Sequence, residues 1–415
     1  MPKKNRNALP PLAKRRPLLL QRSVGPTPDY VGVLAEATSS SPLDLVALVR
    51  KAARPLGARR VTLYLADFDR VSLQPVRSRS GSAGRKVRCE DMVSSPAGRS
   101  FRTGEPVVEG REGTVGVWVP VVDRSDRLGV LALRFGHPDE PRLAECVSLG
   151  LFAGLLVASF ARVTDMVHVF RRRQDMALAS GMQWDLLPPL IIRCKEAMAC
   201  GLLQPAYEMA GDAFDYAVND PHLDVAIFDG MGHGLHASVL TTLAVGAYRH
   251  ARRAGADLDQ MYLAVDEAVR AEFGDREFVT GILSRLHLST GVLSWAKAGH
   301  PPPLLMRSGC VVGELGCATS LPFGIGTGHC EQVTTETLEP GDAVLFFTDG
   351  VTEGRLADGA ALSTDGLARM WENCAALALP PEETLRTLSK GVVDYYAGKL
   401  CDDATLLLLD WRGAA

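Results

Sequence analysis

The run from Val225 to Gly234, V-A-I-F-D-G-M-G-H-G, leaves few folds open to the chain that carries it. A short apolar stretch bounded by glycines predicts a buried strand, and the spacing of Leu235, Val239, Leu243 and Val245 directly after it predicts a helix. Asp229 therefore sits at a strand's end. Gly230, Gly232 and Gly234 let the backbone turn sharply and come close to a ligand, because glycine tolerates left-handed conformations that a side chain disfavours. A carboxylate at such a mouth is well placed for a hard cation.

One carboxylate does not make a metal site, but the pattern recurs. Leu345-Phe-Phe-Thr-Asp349-Gly-Val-Thr-Glu353 repeats the order of apolar strand, Asp and Gly. Residues 401–409, C-D-D-A-T-L-L-L-L, invert it, with Asp402 and Asp403 at the entrance of an apolar strand. Residues 210–216, A-G-D-A-F-D-Y, place Asp212 and Asp215 in a further strand-and-turn context. Each Asp alone is ordinary turn or cap chemistry; several in matched strand-edge settings point to a shared site. Mg²⁺ and Mn²⁺ take oxygen ligands and keep several waters, so carboxylates converging at one end of a sheet can hold two ions. Two such ions, about 3.5 to 4 Å apart, clamp a phosphoryl group for in-line attack. The chemistry indicated is phosphoester hydrolysis.

Taken in order, A-G-D-x-F-D, D-G-M-G-H-G, A-G-H-P-P-P-L-L, F-F-T-D-G-V-T-E-G and D-D-A-T-L-L resemble the metal-dependent protein serine/threonine phosphatases (PPM family) in the bacterial SpoIIE/RsbU branch, over residues 176–411. The resemblance implies a β-sandwich flanked by helices, two Mn²⁺ or Mg²⁺ ions between its sheets, and attack on phosphoserine or phosphothreonine by a hydroxide bridging the ions. Carried over residue by residue, Asp229 bridges both metals, the Gly230 carbonyl ligates one, and Asp349 and Asp403 complete the site; Asp229, Asp349 and Asp403 form the catalytic set. Asp212 and Asp215 match the two acids of the family's G-G-D-x-Y-D motif, with Ala210 in place of the first Gly and Phe214 in place of Tyr. Asp212 is counted as a metal ligand; which of the two acids ligates directly stays open, since residues of opposite parity along a strand face opposite ways. His233 is read as shaping its loop, with general acid to the leaving serine oxygen as the other reading, and His300 as organising backbone; Glu353 and Asp402 flank ligands, either holding waters beside them or as solvated carboxylates.

At 415 residues the chain exceeds the usual single-domain size. Residues 1–28 hold Lys3, Lys4, Arg6, Lys14, Arg15, Arg16 and Arg22 among prolines and read as a disordered basic tail. Residues 29–162 form a first domain. Residues 43–56 have helical spacing, 61–65 and 71–76 alternate like strands, 95–107 give a short helix and turn, and 115–122 with 128–135 make a hairpin. This order, with the segment S-P-A-G-R-S-F-R-T-G-E-P-V, resembles a GAF sensor domain, which implies a dimerisation module or a site for an unidentified small ligand. The apolar run 146–161 is shorter than the about twenty residues a bilayer span needs and reads as a helix in a dimer seam, with no membrane implied. That helix is expected to continue through a linker, 163–189, as far as Q-W-D-L-L-P-P.

The phosphatase-like domain spans 190–412, with strands expected near 191, at 204–209, 280–288, 291–298, 304–306, 332–337 and 343–347. Helices are expected at 234–254, 257–273, 364–377 and 381–397. The fold class is α+β, the second domain an α/β/β/α sandwich. A net charge of -3 argues against a nucleic-acid partner. Nine scattered cysteines without a C-x-x-C pair fit reduced thiols in a cytoplasmic protein. By resemblance the substrate is a phosphorylated anti-sigma factor antagonist of the STAS type, the assembly a homodimer and the regulator the GAF-like domain. The competing reading is a non-catalytic regulator that uses the phosphatase fold to bind a partner.

Overall fold

Along the first strand Val61, Leu63 and Leu65 pack to one side and Tyr64 and Ala66 to the other, so its sheet needs cover on both faces. The computed structural model describes residues 28–77, 87–111, 113–136, 142–208, 211–316, 320–326, 330, 332–354 and 361–414. The basic tail, up to residue 27, and Ala210 lie outside the described residues.

Helices α1 (Tyr30–Ala37) and α2 (Leu45–Ala53) lead into strands β1 (Arg60–Ala66), β2 (Ser72–Pro75) and β3 (Glu90–Asp91), helix α3 (Pro96–Thr103), strands β4 (Val107–Arg111), β5 (Thr114–Asp123) and β6 (Asp126–Phe135), and helix α4 (Leu143–Ala161). The sheet runs β3-β2-β1-β6-β5-β4, with α1, α2 and α4 on one face and α3 on the other. The expected order of helix, strand pair, small helix, hairpin and closing helix is present, with β3 and β4 added at the sheet's two edges. Among the described residues α4 is the one helix long and apolar enough to cross a membrane. Here it lies on β5, so close that a Cβ on Gly154 would sit 1.8 Å from the Val122 carbonyl oxygen and one on Gly150 2.5 Å from that of Pro120.

The expected continuous linker helix is not formed. α4 stops at Ala161, α5 covers Met166–Arg171 and α6 covers Leu178–Leu186. Arg172 is extended (ψ 127°), and the preceding Arg171 is held by its Nε–H bond to the Ala66 carbonyl (3.0 Å) and by stacking on Phe68 (4.4 Å). These contacts with the first domain pin the chain where local helical spacing would have let it run on.

The second domain contains β7 (Ile191–Arg193), β8 (Ala197–Gln204), β9 (Asp212–Asn219), β10 (His222–Gly230), α7 (Leu235–Arg253), α8 (Leu258–Phe273), β11 (Val279–His287), β12 (Val292–Ala298), β13 (Leu304–Arg307) and β14 (Cys310–Glu314). It continues with β15 (Thr334–Thr337), β16 (Ala343–Phe347), α9 (Asp349–Thr352), α10 (Thr364–Ala376), α11 (Pro381–Tyr395) and β17 (Ala404–Trp411). The strand expected at 204–209 is displaced: β8 ends at Gln204, before Pro205, and its Ala-Met-Ala-Cys-Gly stretch lacks the β-branched residues that flag a strand. A five-stranded sheet, β15-β12-β11-β10-β9, faces a six-stranded one, β14-β13-β16-β17-β8-β7. Period two divides the side chains between two cores. Phe214, Val225 and Ile227 point between the sheets, while Ala213, Ala226 and Phe228 point outward to α7 and α8. α10 and α11 cover the other sheet. The result is the four-layer α/β/β/α sandwich.

Between the layers the Phe214 ring fills the space over Gly201, where a Cβ would come within 2.4 Å of it. Gly201→Ala should destabilise the chain by about 1–3 kcal/mol through overpacking, read from denaturant midpoints, and Phe214→Leu in the same chain should recover part of that loss.

Candidate metal centre

The site grows from one register. β9 and β10 are antiparallel and pair Asp212 with Asp229, with Thr280 of β11 on the other side of Asp229. Asp212 shares its parity with Phe214 and so points between the sheets, whereas Asp215 has the opposite parity and points to α7. There Arg249 Nη2 donates to its Oδ1 and Arg252 Nη1 to its Oδ2, each at 2.7 Å. Asp215 is thus committed to two guanidinium groups, and Asp212 is the acid of the pair that enters the space of Asp229.

From the facing sheet, Asp403 precedes β17 and accepts the Asp212 N–H at Oδ2 (3.3 Å). Thr348 joins the layers. Its hydroxyl donates to Asp212 Oδ2 (2.7 Å) and accepts the Thr405 N–H (2.9 Å), while its own N–H donates to the Thr405 carbonyl (3.2 Å). Gln183 of α6 closes the back by donating Nε2–H to the Asp212 carbonyl (2.6 Å). Asp349 opens α9, and the next residue must be glycine: a Cβ on Gly350 would lie 1.8 Å from the Asp403 carbonyl oxygen. Gly230 is equally confined, since a Cβ there would meet the Thr241 hydroxyl at 2.3 Å. Gly232 and Gly234 take φ of 86° and 76°, the left-handed turn that delivers the chain into α7.

Burial and mutual repulsion dominate the electrostatics. Burial, then the charges of Asp349, Asp402 and Asp403, push Asp229 up to about 8. Burial above all pushes Asp403 up to about 7, against the Asp212 N–H that favours its anion. Asp212 is driven well above the usual carboxylate range by burial and by Asp229 and Asp403, and Asp349 is raised by burial, Glu353 and Asp402. Asp403 Oδ1 is buried with no hydrogen-bond partner. Like charges gathered this way are costly unless a cation or a proton joins them. The donor set, carboxylates without thiols or imidazoles, fits a hard cation such as Mg²⁺ or Mn²⁺. Among the described residues no three such side chains already close on a single point; they act on one another across a shared space.

The remaining expected residues fall around this centre. His233 is exposed. His300 is buried; its Nδ1 shares a hydrogen bond with the Thr280 hydroxyl (2.8 Å), Nε2 is without a partner, and burial pushes it down to about 3. Glu353 and Asp402 are exposed, and Asp402 accepts the Asp403 N–H (2.9 Å). Neither Thr348 nor Gln183 carries a local sequence signature of its role. Thr348 stands directly before Asp349 and was visible as part of F-F-T-D-G, but its partners come from two other strands.

Residues 219–412 match the family described as Stage II sporulation protein E (SpoIIE). The phosphoserine phosphatase RsbU of Bacillus subtilis is 23% identical over 238 residues, 57% of this chain and 70% of that protein. Protein IcfG of Synechocystis is 23% identical over 264 residues, 57% of this chain and 41% of that protein. The chain thus spans most of RsbU and less than half of IcfG. Among solved structures, the SiaA-PP2C domain of Pseudomonas aeruginosa aligns with TM-score 0.47 and 20% identity, covering 57% of this chain and 94% of that one. The RsbU and RsbW domains of a Mycobacterium tuberculosis protein align with TM-score 0.45 and 24% identity, over 55% of this chain and 63% of that one. The carboxy-terminal domain is thus similar, over residues 219–412, to the SpoIIE family and to the phosphoserine phosphatase RsbU.

Two measurements check the site's construction. Thr348→Val, which removes the hydroxyl from Asp212, should weaken Mn²⁺ binding about 10- to 100-fold by calorimetry, as loss of a ligand's supporting partner does, while Thr348→Ser stays close to wild type. For His300 the depressed folded value means that the unfolded chain binds the extra proton between the ordinary histidine value and about 3. Its contribution is complete at neutral pH and is lost as pH falls, by up to about 1.4 kcal/mol per pH unit. His300→Gln should flatten that part of the stability–pH curve relative to wild type.

Proposed function

We propose that Asp229, Asp349 and Asp403, with Asp212 and the Gly230 carbonyl, hold two Mn²⁺ or Mg²⁺ ions and that the chain hydrolyses phosphoserine or phosphothreonine on a protein. The observation that carries this reading is the pairing of Asp212 with Asp229 across one sheet while Asp212 also bonds Asp403 of the other. When bound, such ions lower the pKa of water and offset the charge of a phosphoryl group. The chain's own groups do the rest. Asp229, at the mouth of β10, would help hold the ions and orient the attacking water. Asp349 and Asp403 approach from the opposite sheet on backbone that Gly350 allows to close in. Thr348 and Gln183 keep Asp212 in one orientation, so little reorganisation is needed at the moment of reaction. Hydrolysis is direct, with no Ser or Cys nucleophile of the protein.

The substrate proposed is a phosphorylated STAS-type anti-sigma factor antagonist, by analogy with the phosphoserine phosphatase RsbU. The amino-terminal domain, in its GAF-like order of elements, is the proposed regulator. Homodimerisation through it is supported by the exposed Leu151 and Leu155 of α4 and Val31 and Leu34 of α1. A cytoplasmic location agrees with the free, exposed thiols of Cys89, Cys310 and Cys401.

The test is turnover of p-nitrophenyl phosphate and of a phosphoserine protein by the full chain. Activity should require Mn²⁺ or Mg²⁺, vanish with chelator, and fall by at least about a hundredfold, roughly 2.7 kcal/mol of barrier, in Asp229→Asn and Asp349→Asn. A chain that binds phosphoprotein but turns over nothing at any metal concentration would be the non-catalytic regulator instead.

A further inference from the structure

Helix α11 touches the amino-terminal domain with its first turn and supports the carboxylate site from its last. Glu382 forms an ion pair with Arg127 of β6 and lies 3.6 Å from Arg193; Glu383 is held by Arg386 (3.0 Å) and faces Arg102 at 4.0 Å. The Arg127 guanidinium also donates to the carbonyls of Phe101 (3.0 Å) and Arg102, so one side chain ties the end of α3 to the start of α11. The Arg127 and Glu382 side chains are 11% and 8% exposed, which makes this a largely buried pair. Removing one partner from such a pair leaves an uncompensated charge and disfavours the docked arrangement.

At its other end α11 delivers Tyr396. The hydroxyl donates to the Val351 carbonyl (3.2 Å) and accepts the Leu362 N–H (3.2 Å). Val351 lies in α9, the single turn that starts with Asp349. The Tyr396 ring also leaves no slack beyond that turn, since a Cβ on Gly354 would lie 2.9 Å from it. In between, Leu385, Leu388 and Val392 anchor the helix in the core it shares with β8 and β17. The domains also meet through the small cluster of Phe68, Trp184 and Tyr207, Arg173 of the linker pairs with Asp67 and Asp69, and a cleft of about 410 Å³ remains between the domains. Polar inter-domain contacts of this kind permit relative motion.

We propose that Tyr396 is a positioning residue for Asp349, and that α11 makes this positioning depend on whether Glu382 and Glu383 are seated against Arg127 and Arg102 of the amino-terminal domain. The inference rests on the reading of Asp349 as a cation ligand. A docked first domain holds α11, α11 holds Tyr396, and Tyr396 holds the turn that presents Asp349; undocking frees all three.

The experiment is calorimetric titration of the full chain with MnCl₂, with small-angle scattering to report docking. Arg127→Glu and Tyr396→Phe should each weaken Mn²⁺ binding about tenfold, within the usual range of coupling between sites. Combined they should weaken it little further. An Arg127→Glu chain that opens in scattering yet binds Mn²⁺ as wild type does overturns the coupling, and unchanged binding in Tyr396→Phe overturns the positioning role. Should Arg127→Glu fail to fold, Glu382→Gln makes the same comparison with nearly the same shape. Wild type that binds Mn²⁺ but hydrolyses nothing refutes the phosphatase reading and leaves these isotherms to decide; wild type that binds no Mn²⁺ refutes both.

Discussion

Asp212 and Asp229 stand opposite each other on adjacent strands, an arrangement in which like charges repel. Everything around them offsets or tolerates that repulsion. Thr348 and the Asp212 N–H supply hydrogen bonds to Asp212 and Asp403, and Gln183 fixes the backbone between them. What these donors do not supply is positive charge: the groups acting most strongly on Asp229 and Asp212 after burial are other carboxylates. A fold that gathers anions in a buried space gives up stability there, and a bound cation recovers it by mass action.

The sandwich is what makes the gathering possible. Two sheets packed face to face bring strand ends from distant parts of the chain to one edge, so Asp212 and Asp229 come from one layer and Asp349 and Asp403 from the other. Close approach then depends on small residues. Gly350 lets α9 press against the Asp403 backbone, Gly201 accommodates Phe214, and Gly230 sits against Thr241. The apolar cores on either side of the five-stranded sheet hold those positions rigid.

The first domain is joined to this site by more than its linker. The chain between the domains is broken into short helices because Arg171 and Phe68 fasten it to the first sheet. A single continuous helix would have transmitted rotation along its axis. The observed arrangement instead offers lateral contacts, among them the aromatic cluster at Phe68, Trp184 and Tyr207 and the ion pair between Arg127 and Glu382.

Much of this was legible in the sequence. Asp229, Asp349 and Asp403 announced themselves because an acid at the end or entrance of an apolar strand is a local pattern, and α7, α8, α10 and α11 followed their apolar periodicity to within a few residues. Sequence determined the donor chemistry and the alternation of layers. It could not say which of Asp212 and Asp215 enters the site, because parity has meaning only once one face of β9 is known to meet the other sheet and the other face to meet Arg249 and Arg252. Thr348, Gln183 and Tyr396 were equally hidden, since their partners lie tens of residues or more away and a hydrogen bond across layers leaves no periodic trace. The linker's break was decided in the same way, by contacts with Ala66 and Phe68 that override local helical preference. Local chemistry is written residue by residue, but convergence is a property of packed layers, and only the tertiary structure brings those layers together.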